Sequence, residues 1–394
     1  MNEFGDRIVA PRARDSRDEC TTSCAQDLKP KRLHYLDSLR GLAALSVAVF
    51  FHYEHFSAMA QPGALPPDHA PLYDFLPVRL EYKYGGFAVD FFFILSGVVF
   101  SHVYAREIAE GTTRLGRFWA LRFARLYPIH LATLLLVALL AWVFHASTGR
   151  FPIYRRNGPV DFVLSLLFLD GGIVEHGLAF DGPAWSISVE ILLYGLFFVI
   201  ARNRADRPAA VAMLLAGTAI LASPVGSPLL VNVPVARGLI GFALGMLVYR
   251  LIIAGERPLR SCGGLALFPV AALGLMVLAG LPRLSFALVS GVLALCLAGL
   301  SRWRLPQRLL EIKPLMMLGD ASLTIYLVHV PVQIALLLAA FWIGHSIPYD
   351  SAAFWAGYFA IVLAIALPVH RWYERPMRRF LLHRLGLADP HLAR

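Results

Sequence analysis

The chain has 394 residues, of which 58% are hydrophobic and only 16% are charged. Soluble domains carry about 25% charged residues, so this chain has too little polar surface for a soluble protein. Its formal net charge of +10 does not indicate a nucleic-acid partner, because the basic residues lie in short segments between apolar runs, where they set membrane topology. Several runs approach the roughly 20 apolar residues of a spanning helix, which predicts an all-α, polytopic membrane helix bundle.

Residues 1–33 are polar and charged, without the apolar core of a signal peptide, and are predicted to form a disordered cytoplasmic tail. The membrane domain is predicted over 34–380, followed by a cytoplasmic C-terminal tail over 381–394. The four cysteines show neither a disulfide pattern nor the ligand spacing of a zinc site, so no metal is expected.

Ten apolar runs are predicted to cross the membrane. They cover residues 36–57, 85–104, 121–145, 184–201, 208–223, 235–254, 264–281, 284–300, 315–342 and 352–371. A run at 160–169 is too short to cross comfortably. If it does not cross, 29 Lys and Arg residues lie on the cytoplasmic side and 6 on the outer side; if it crosses, the counts become 14 and 21. The positive-inside rule therefore favours ten spans with both termini cytoplasmic.

The first apolar run carries ionisable residues. Residues 35–56 read YLDSLRGLAALSVAVFFHYEHF, with Arg40 near the cytoplasmic end and His52 and His55 towards the outer end. Ionisable groups inside hydrocarbon are costly, and are therefore candidates for function. An imidazole is the usual general base near neutral pH, so His52 either activates a hydroxyl or simply lies at the outer interface.

The second and third runs add further candidates. Residues 85–97 read GGFAVDFFFILSG and place Asp90 just inside the outer boundary. A carboxylate there is favoured by the helix dipole, and it can also orient a histidine or an acceptor. Arg122 and Arg125 begin the third run three residues apart and share a helix face. They either anchor the helix at the cytoplasmic interface or bind phosphates.

Two later runs contain buried polar groups. The fourth opens with PAWSISVEILLY over 183–194 and places Glu190 about two turns inside the outer boundary. A buried carboxylate needs a partner or a proton, and Arg237 near the outer end of a later run is a candidate partner. The ninth run contains DASLTIYLVH over 320–329, in which His329 is either a helix-packing residue or part of a site.

In their order and spacing these motifs resemble the acyltransferase-3 family, integral-membrane enzymes that move acyl groups from acyl-CoA to glycans and other acceptors. The resemblance extends over most of residues 33–380 and includes YERP at 373–376. The site residues that it implies are His52, Arg40, Asp90 and Glu190 for catalysis and Arg122 and Arg125 for CoA phosphates. It also implies acetyl-CoA as the common donor, with succinyl or longer groups open. The implied acceptor is a surface glycan or lipid-linked sugar at the inner membrane of a bacterium.

The first run departs from the family spacing by one residue. Family members place the basic residue and the histidine eleven apart, which brings them within about 20° of one helix face. Here His52 is twelve residues after Arg40 and is rotated by about a further 100°. We predict a π-bulge between them, because such a turn absorbs one inserted residue locally. The alternative is that His55 is the base.

A transporter or flippase of a lipid-linked glycan is the second hypothesis, in which the polar groups line a substrate path. Transporters often contain inverted repeats and paired broken helices, and the sequence shows neither. A scaffold in an envelope assembly is a third hypothesis, and it leaves the costly intramembrane charges unexplained. Consumption of acetyl-CoA by the purified protein, or thermal stabilisation of the protein by acetyl-CoA, distinguishes an acyltransferase from a transporter or a scaffold.

Overall fold

A computed structural model describes residues 32–57, 67–174, 177–223, 229–255 and 258–387. Apart from residues 32 and 33, the predicted N-terminal tail lies outside the described residues, as does the second half, 388–394, of the predicted C-terminal tail. The chain from His34 onward forms one compact unit. Within the described ranges it is built from sixteen α-helices and contains no strand.

The helices are numbered here in chain order. They are α1 His34–Leu45, α2 Leu76–Tyr84, α3 Ala88–Val103, α4 Ala105–Ala109, α5 Leu115–Thr148, α6 Pro159–Leu166, α7 Trp185–Arg202, α8 Asp206–Ala222, α9 Val233–Val248, α10 Pro258–Leu278, α11 Ser285–Leu300, α12 Arg304–Leu310, α13 Lys313–Asp320, α14 Ser322–Ile343, α15 Ala352–Val369 and α16 Arg375–Arg384. Three of them, α1, α9 and α15, continue into π-helical turns at Ser46–Phe50, Tyr249–Ile253 and His370–Glu374.

Seven helical segments in the described part of the chain are long and apolar enough to cross a membrane. They are Leu76–Val103, Leu115–Thr148, Gly182–Arg202, Val233–Ile253, Pro282–Leu300, Ser322–Ile343 and Ala352–Arg384. The protein is therefore a polytopic helical membrane protein, as the composition predicts. The other three predicted spans coincide with α1, α8 and α10. The number of ten spans and the side on which the termini lie stay predictions.

The short apolar run at 160–169 forms α6, which has eight residues. At 1.5 Å per residue this helix is about 12 Å long, less than half of the roughly 30 Å hydrocarbon core. Its length agrees with the prediction that it does not cross. At the other end of the chain, α16 continues to Arg384, four residues into the predicted C-terminal tail.

Small residues let two pairs of helices pack closely. Gly97 on α3 lies against the backbone of α9 near Gly245, and Gly41 on α1 lies against the backbone of α13 near Gly319. A Cβ atom at any of these four positions would overlap the opposite backbone. Such contacts matter in a membrane, where apolar burial does not drive helices together. They place α1 beside α13, and therefore beside the start of α14.

Candidate active site

The N-terminal helix changes its winding just before the predicted base. The N–H of Phe51 bonds to the carbonyl of Ser46, five residues back, in the π-helical turn Ser46–Phe50. A 3₁₀ segment over Phe51–Phe56 follows. The predicted π-bulge is confirmed, and beyond it the side chain of His52 contacts α14.

Three histidines and a glutamine form a group that we call the imidazole cluster. Nδ1 of His52 lies 2.8 Å from Nε2 of His329 on α14. The His52 ring stacks on those of His55 and His329, at centroid distances of 4.7 and 5.1 Å. Gln333, one turn beyond His329, donates from Nε2 to the His52 carbonyl at 2.8 Å, and its Oε1 lies 2.8 Å from Nδ1 of His55. Helix α14 therefore orients both histidines of the first helix.

These contacts favour one distribution of protons over the imidazole nitrogens. The His52 carbonyl only accepts, so Gln333 presents its NH₂ group there and its Oε1 to His55, whose Nδ1 then carries the proton. Nδ1 of His329 forms no hydrogen bond with the described residues, but the carbonyls of Ile325 and Tyr326 one turn back in α14 favour a proton on it. In that tautomer Nε2 of His329 accepts from Nδ1 of His52, and Nε2 of His52 is unprotonated, as a general base requires.

A small cavity between α1, α3, α7 and α14 holds two of the predicted catalytic residues. Its lining residues are Arg40, Phe92, Phe93, Ser186, Ile187, Glu190, Ser322, Leu323 and Tyr326. The Ser96 hydroxyl on α3 donates to the carboxylate of Glu190. Arg40 makes no ion pair within the described residues, although Glu190 acts on it electrostatically. We call this space the arginine cavity.

One face of α14 joins the arginine cavity to the imidazole cluster. Ser322, Tyr326, His329 and Gln333 follow one another at spacings of four, three and four residues, and so share a helix face. The first two line the cavity and the last two belong to the cluster. Only His329 was singled out from the sequence. The regular spacing of polar residues along an apolar helix is the signal that identifies the other three.

The two predicted CoA-binding arginines lie near the arginine cavity. Tyr194 on α7 is buried. Its hydroxyl lies within electrostatic range of Glu190, Arg122, Arg125 and Arg40. The structure thus brings together four of the residues predicted from three separate motifs.

Arg122 and Arg125 differ in their surroundings. The guanidinium of Arg122 lies over the rings of Phe100, Tyr104 and Tyr194, at 5.1, 4.8 and 6.0 Å from their centroids. Only 6% of Arg122 is exposed, and its guanidinium also donates to the Tyr104 hydroxyl. Arg125 is half-buried. Of the two, Arg125 therefore has the more accessible guanidinium.

Asp90 is engaged in an ion pair with α9. Its Oδ1 and Oδ2 atoms accept from Nε and Nη2 of Arg237 at 3.0 and 2.6 Å, and Asp90 is fully buried. Arg237 in turn stacks on Trp185 and Phe286, at 5.1 and 4.5 Å from the ring centroids. The predicted pairing of Arg237 with Glu190 is therefore wrong. The close packing of α3 on α9 puts Asp90 opposite Arg237, whereas Glu190 faces the arginine cavity.

The helix bundle carries a hydrogen-bonded histidine pair and an arginine-lined cavity along one face of α14, an arrangement that suits a membrane-embedded enzyme. The chain belongs to the acyltransferase-3 family, whose model, described as an acyltransferase domain, matches residues 33–371. The expectation of an integral-membrane acyltransferase is confirmed.

Two curated proteins are similar to parts of the chain. A stretch of 178 residues is 32% identical to "Protein 2 in picA locus" of Rhizobium radiobacter and covers 43% of this chain and 82% of that protein. A stretch of 171 residues is 32% identical to "Acyltransferase MdmB" of Streptomyces mycarofaciens and covers 42% of this chain and 38% of that protein. No solved structure shows significant similarity.

Proposed function

We propose that the protein is an O-acyltransferase that moves an acyl group, typically acetyl, from cytoplasmic acyl-CoA to a hydroxyl group. The acceptor is a cell-surface glycan or a lipid-linked sugar, and the enzyme acts within the inner membrane of a bacterium. The observation that carries the proposal is the contact between Nδ1 of His52 and Nε2 of His329, which leaves Nε2 of His52 as the ring nitrogen that takes no part in that contact. Helix α14 runs directly from this pair to the arginine cavity.

The arginine cavity and the arginines of α5 suit an acyl-CoA donor. CoA carries phosphates at one end and the thioester at the other, joined by a long pantetheine arm. Arg125 and Arg122 supply guanidinium groups for the phosphates. Arg40, which has no ion pair among the described residues, lies along the path of the arm. From Arg40 to His52 is about 18 Å of helix, a length that an extended pantetheine arm can bridge.

The imidazole cluster suits the chemical step. Nε2 of His52 takes the proton of the acceptor hydroxyl while the hydroxyl oxygen attacks the thioester carbonyl. The tetrahedral intermediate collapses, the carbon–sulfur bond breaks, and CoA leaves as a thiolate. The His52 imidazolium then returns the proton to that thiolate. The products are an ester on the acceptor and CoA with a free thiol. His329 serves as a positioning residue, because it accepts from Nδ1 of His52 and so maintains the tautomer.

Thermal unfolding and thiol release test the proposal on the purified full chain. Acetyl-CoA is expected to raise the melting temperature saturably, whereas S-acetylpantetheine, which lacks the phosphates, should do so only weakly. His52→Ala should keep the stabilisation by acetyl-CoA and lose thiol release in the presence of acceptor. A wild-type protein that neither binds nor cleaves acetyl-, succinyl- or longer acyl-CoA would overturn the proposal.

A further inference from the structure

A buried carboxylate that the mechanism does not use lies one aromatic ring away from the imidazole cluster. Asp181 precedes the 3₁₀ turn Gly182–Ala184 that leads into α7, and only 2% of its surface is exposed. Neither carboxylate oxygen has a hydrogen-bond partner among the described residues. The hydroxyl of Thr133 on α5 is close by, but its proton is directed to the carbonyls of Ile129 and His130 in its own helix, at 3.1 Å each.

Apart from the nearby Thr133 hydroxyl, no group of the described residues is placed to donate a hydrogen bond to this carboxylate. Its burial raises the pKa of Asp181 well above the ordinary value, because the charged form has lost its hydration, and the nearby Asp170 adds to the rise. Asp170 itself accepts from the hydroxyls of Ser165 and Ser188 at 2.8 and 3.0 Å. The carboxylate of Asp170 is therefore hydrogen-bonded within the protein, whereas the oxygens of Asp181 are available to a ligand.

Tyr154 connects this carboxylate to the proposed base. Its ring lies against Gly182, where a Cβ atom would overlap the ring. Its edge meets the ring of His55 at a centroid distance of 5.8 Å, with the planes 82° apart, and His55 stacks on His52. Two aromatic rings thus separate Asp181 from His52.

The arginine cavity, where the acyl donor is proposed to bind, also lies close to Asp181. Tyr326, which lines the arginine cavity, donates from its hydroxyl to the carbonyl of Pro183 at 3.0 Å. Pro183 is only two residues beyond Asp181 in the chain. The arginine cavity, the imidazole cluster and Asp181 therefore converge on one region between α5, α7 and α14.

We infer that Asp181 and Tyr154 form the acceptor subsite and bind a polyhydroxylated sugar with one of its hydroxyls directed at His52. Hydroxyls of the bound sugar supply the hydrogen bonds that the charged carboxylate lacks in the free protein, and the aromatic ring packs on the apolar C–H face of the sugar ring. The inference rests on the proposed function and names the substrate class and two residues that recognise it.

Thermal unfolding of the full chain in a detergent without a sugar headgroup tests the subsite. The probes are the methyl glycosides of glucose, galactose, mannose, rhamnose and N-acetylglucosamine, with acetyl-CoA as an independent ligand. At least one glycoside should raise the melting temperature of the wild type saturably. Asp181→Asn should weaken its apparent affinity by about tenfold or more, the loss expected for a hydrogen bond to a charged group, and leave the acetyl-CoA effect unchanged.

Two further variants complete the test. Tyr154→Leu should show the same selective loss while keeping the carboxylate. Asp161→Asn is the matched control, because it changes another buried carboxylate, one that accepts from the N–H of Gly158 at 3.0 Å, and it should keep the glycoside effect.

The outcomes separate the subsite from the proposed function. No response of the wild type to any glycoside, or unchanged affinity in Asp181→Asn, overturns the inference. A joint loss of the acetyl-CoA and glycoside effects in both variants also overturns it, since it assigns Asp181 to the packing of α7. If Asp181→Asn does not fold, Tyr154→Leu decides. A wild type that responds to glycosides and not to acetyl-CoA contradicts the proposed function and leaves the subsite standing.

Discussion

The Nδ1 atom of His52 lies 2.8 Å from the Nε2 atom of His329, although the two residues are 277 positions apart in the chain. They meet because Gly41 and Gly319 bring α1 and α13 into backbone contact, and α14 follows directly after α13. A base oriented by a second side chain is also the arrangement of hydrolytic triads, where the orienting group is a carboxylate. Here the orienting group is a neutral imidazole, which adds no negative charge to the membrane interior.

His52 and His55 are expected to respond differently to substitution. His52→Ala should lower acyl transfer by about 10²- to 10⁴-fold, the contribution of a positioned general base. His55→Ala should keep most of the activity, because His55 supports the cluster by stacking on His52. Thiol release from acetyl-CoA with acceptor present measures both, and stabilisation by acetyl-CoA reports that each variant is folded. An inactive His55→Ala beside an active His52→Ala would identify His55 as the base.

His329 is expected to act on turnover and not on donor binding. His329→Ala should lower kcat by about tenfold or more, or about 1.4 kcal/mol, with the KM for acetyl-CoA unchanged, because His52 loses the acceptor that maintains its tautomer. His329→Gln should recover part of the loss, since its amide oxygen can accept from Nδ1 of His52. Equal loss in both variants together with a lower melting temperature would reduce His329 to a packing residue.

Substitution of the two arginines of α5 is expected to distinguish a role in donor binding from a role in membrane anchoring. Arg125→Ala should weaken acetyl-CoA binding by about tenfold, since it removes a charge-assisted contact to phosphate. Arg122→Ala should weaken binding and also lower the melting temperature, because it empties an aromatic enclosure. Arg117→Ala is the control, since Arg117 is exposed on the same helix. Unchanged acetyl-CoA affinity in the Arg122 and Arg125 variants would assign both residues to membrane anchoring.

The ion pair between Asp90 and Arg237 is expected to matter chiefly for stability. Asp90→Asn leaves a guanidinium buried without its counter-charge, and should destabilise the protein by roughly 3–5 kcal/mol. The double variant Asp90→Asn, Arg237→Met should recover much of that loss, because replacing a whole buried pair is often close to neutral. Melting temperatures measure the effect of each variant on stability, and acyl-transfer rates measure its effect on catalysis. A stable but inactive double variant would show that the pair also contributes to catalysis.

The predicted topology is tested by reporter fusions on either side of α7. Fusions after residue 178 and after residue 205 should report opposite sides of the membrane, outer and cytoplasmic respectively. The charge distribution of 29 to 6 supports this orientation. A fusion after residue 205 that reports the outer side would reverse every later span, and with it the side from which acyl-CoA reaches the arginine cavity.

The sequence by itself determined the class of protein and the course of its first helix. Apolar run length and the share of charged residues are properties of a linear chain, and they suffice to predict a helical membrane bundle. The π-helical turn could be predicted for a similar reason. One residue inserted between two positions with fixed roles has to be absorbed within the segment between them, and Ser46–Phe50 absorbs it.

Only the tertiary structure decided which polar groups meet. Each helix shows its own polar face in its sequence, but the partner of that face depends on the rotation and axial shift of the neighbouring helices. A rotation of about 100° per residue is enough to exchange one partner for another. Arg237 therefore pairs with Asp90 and not with Glu190, and Gln333 reaches His55, because close packing at small residues sets the positions of the helices relative to one another.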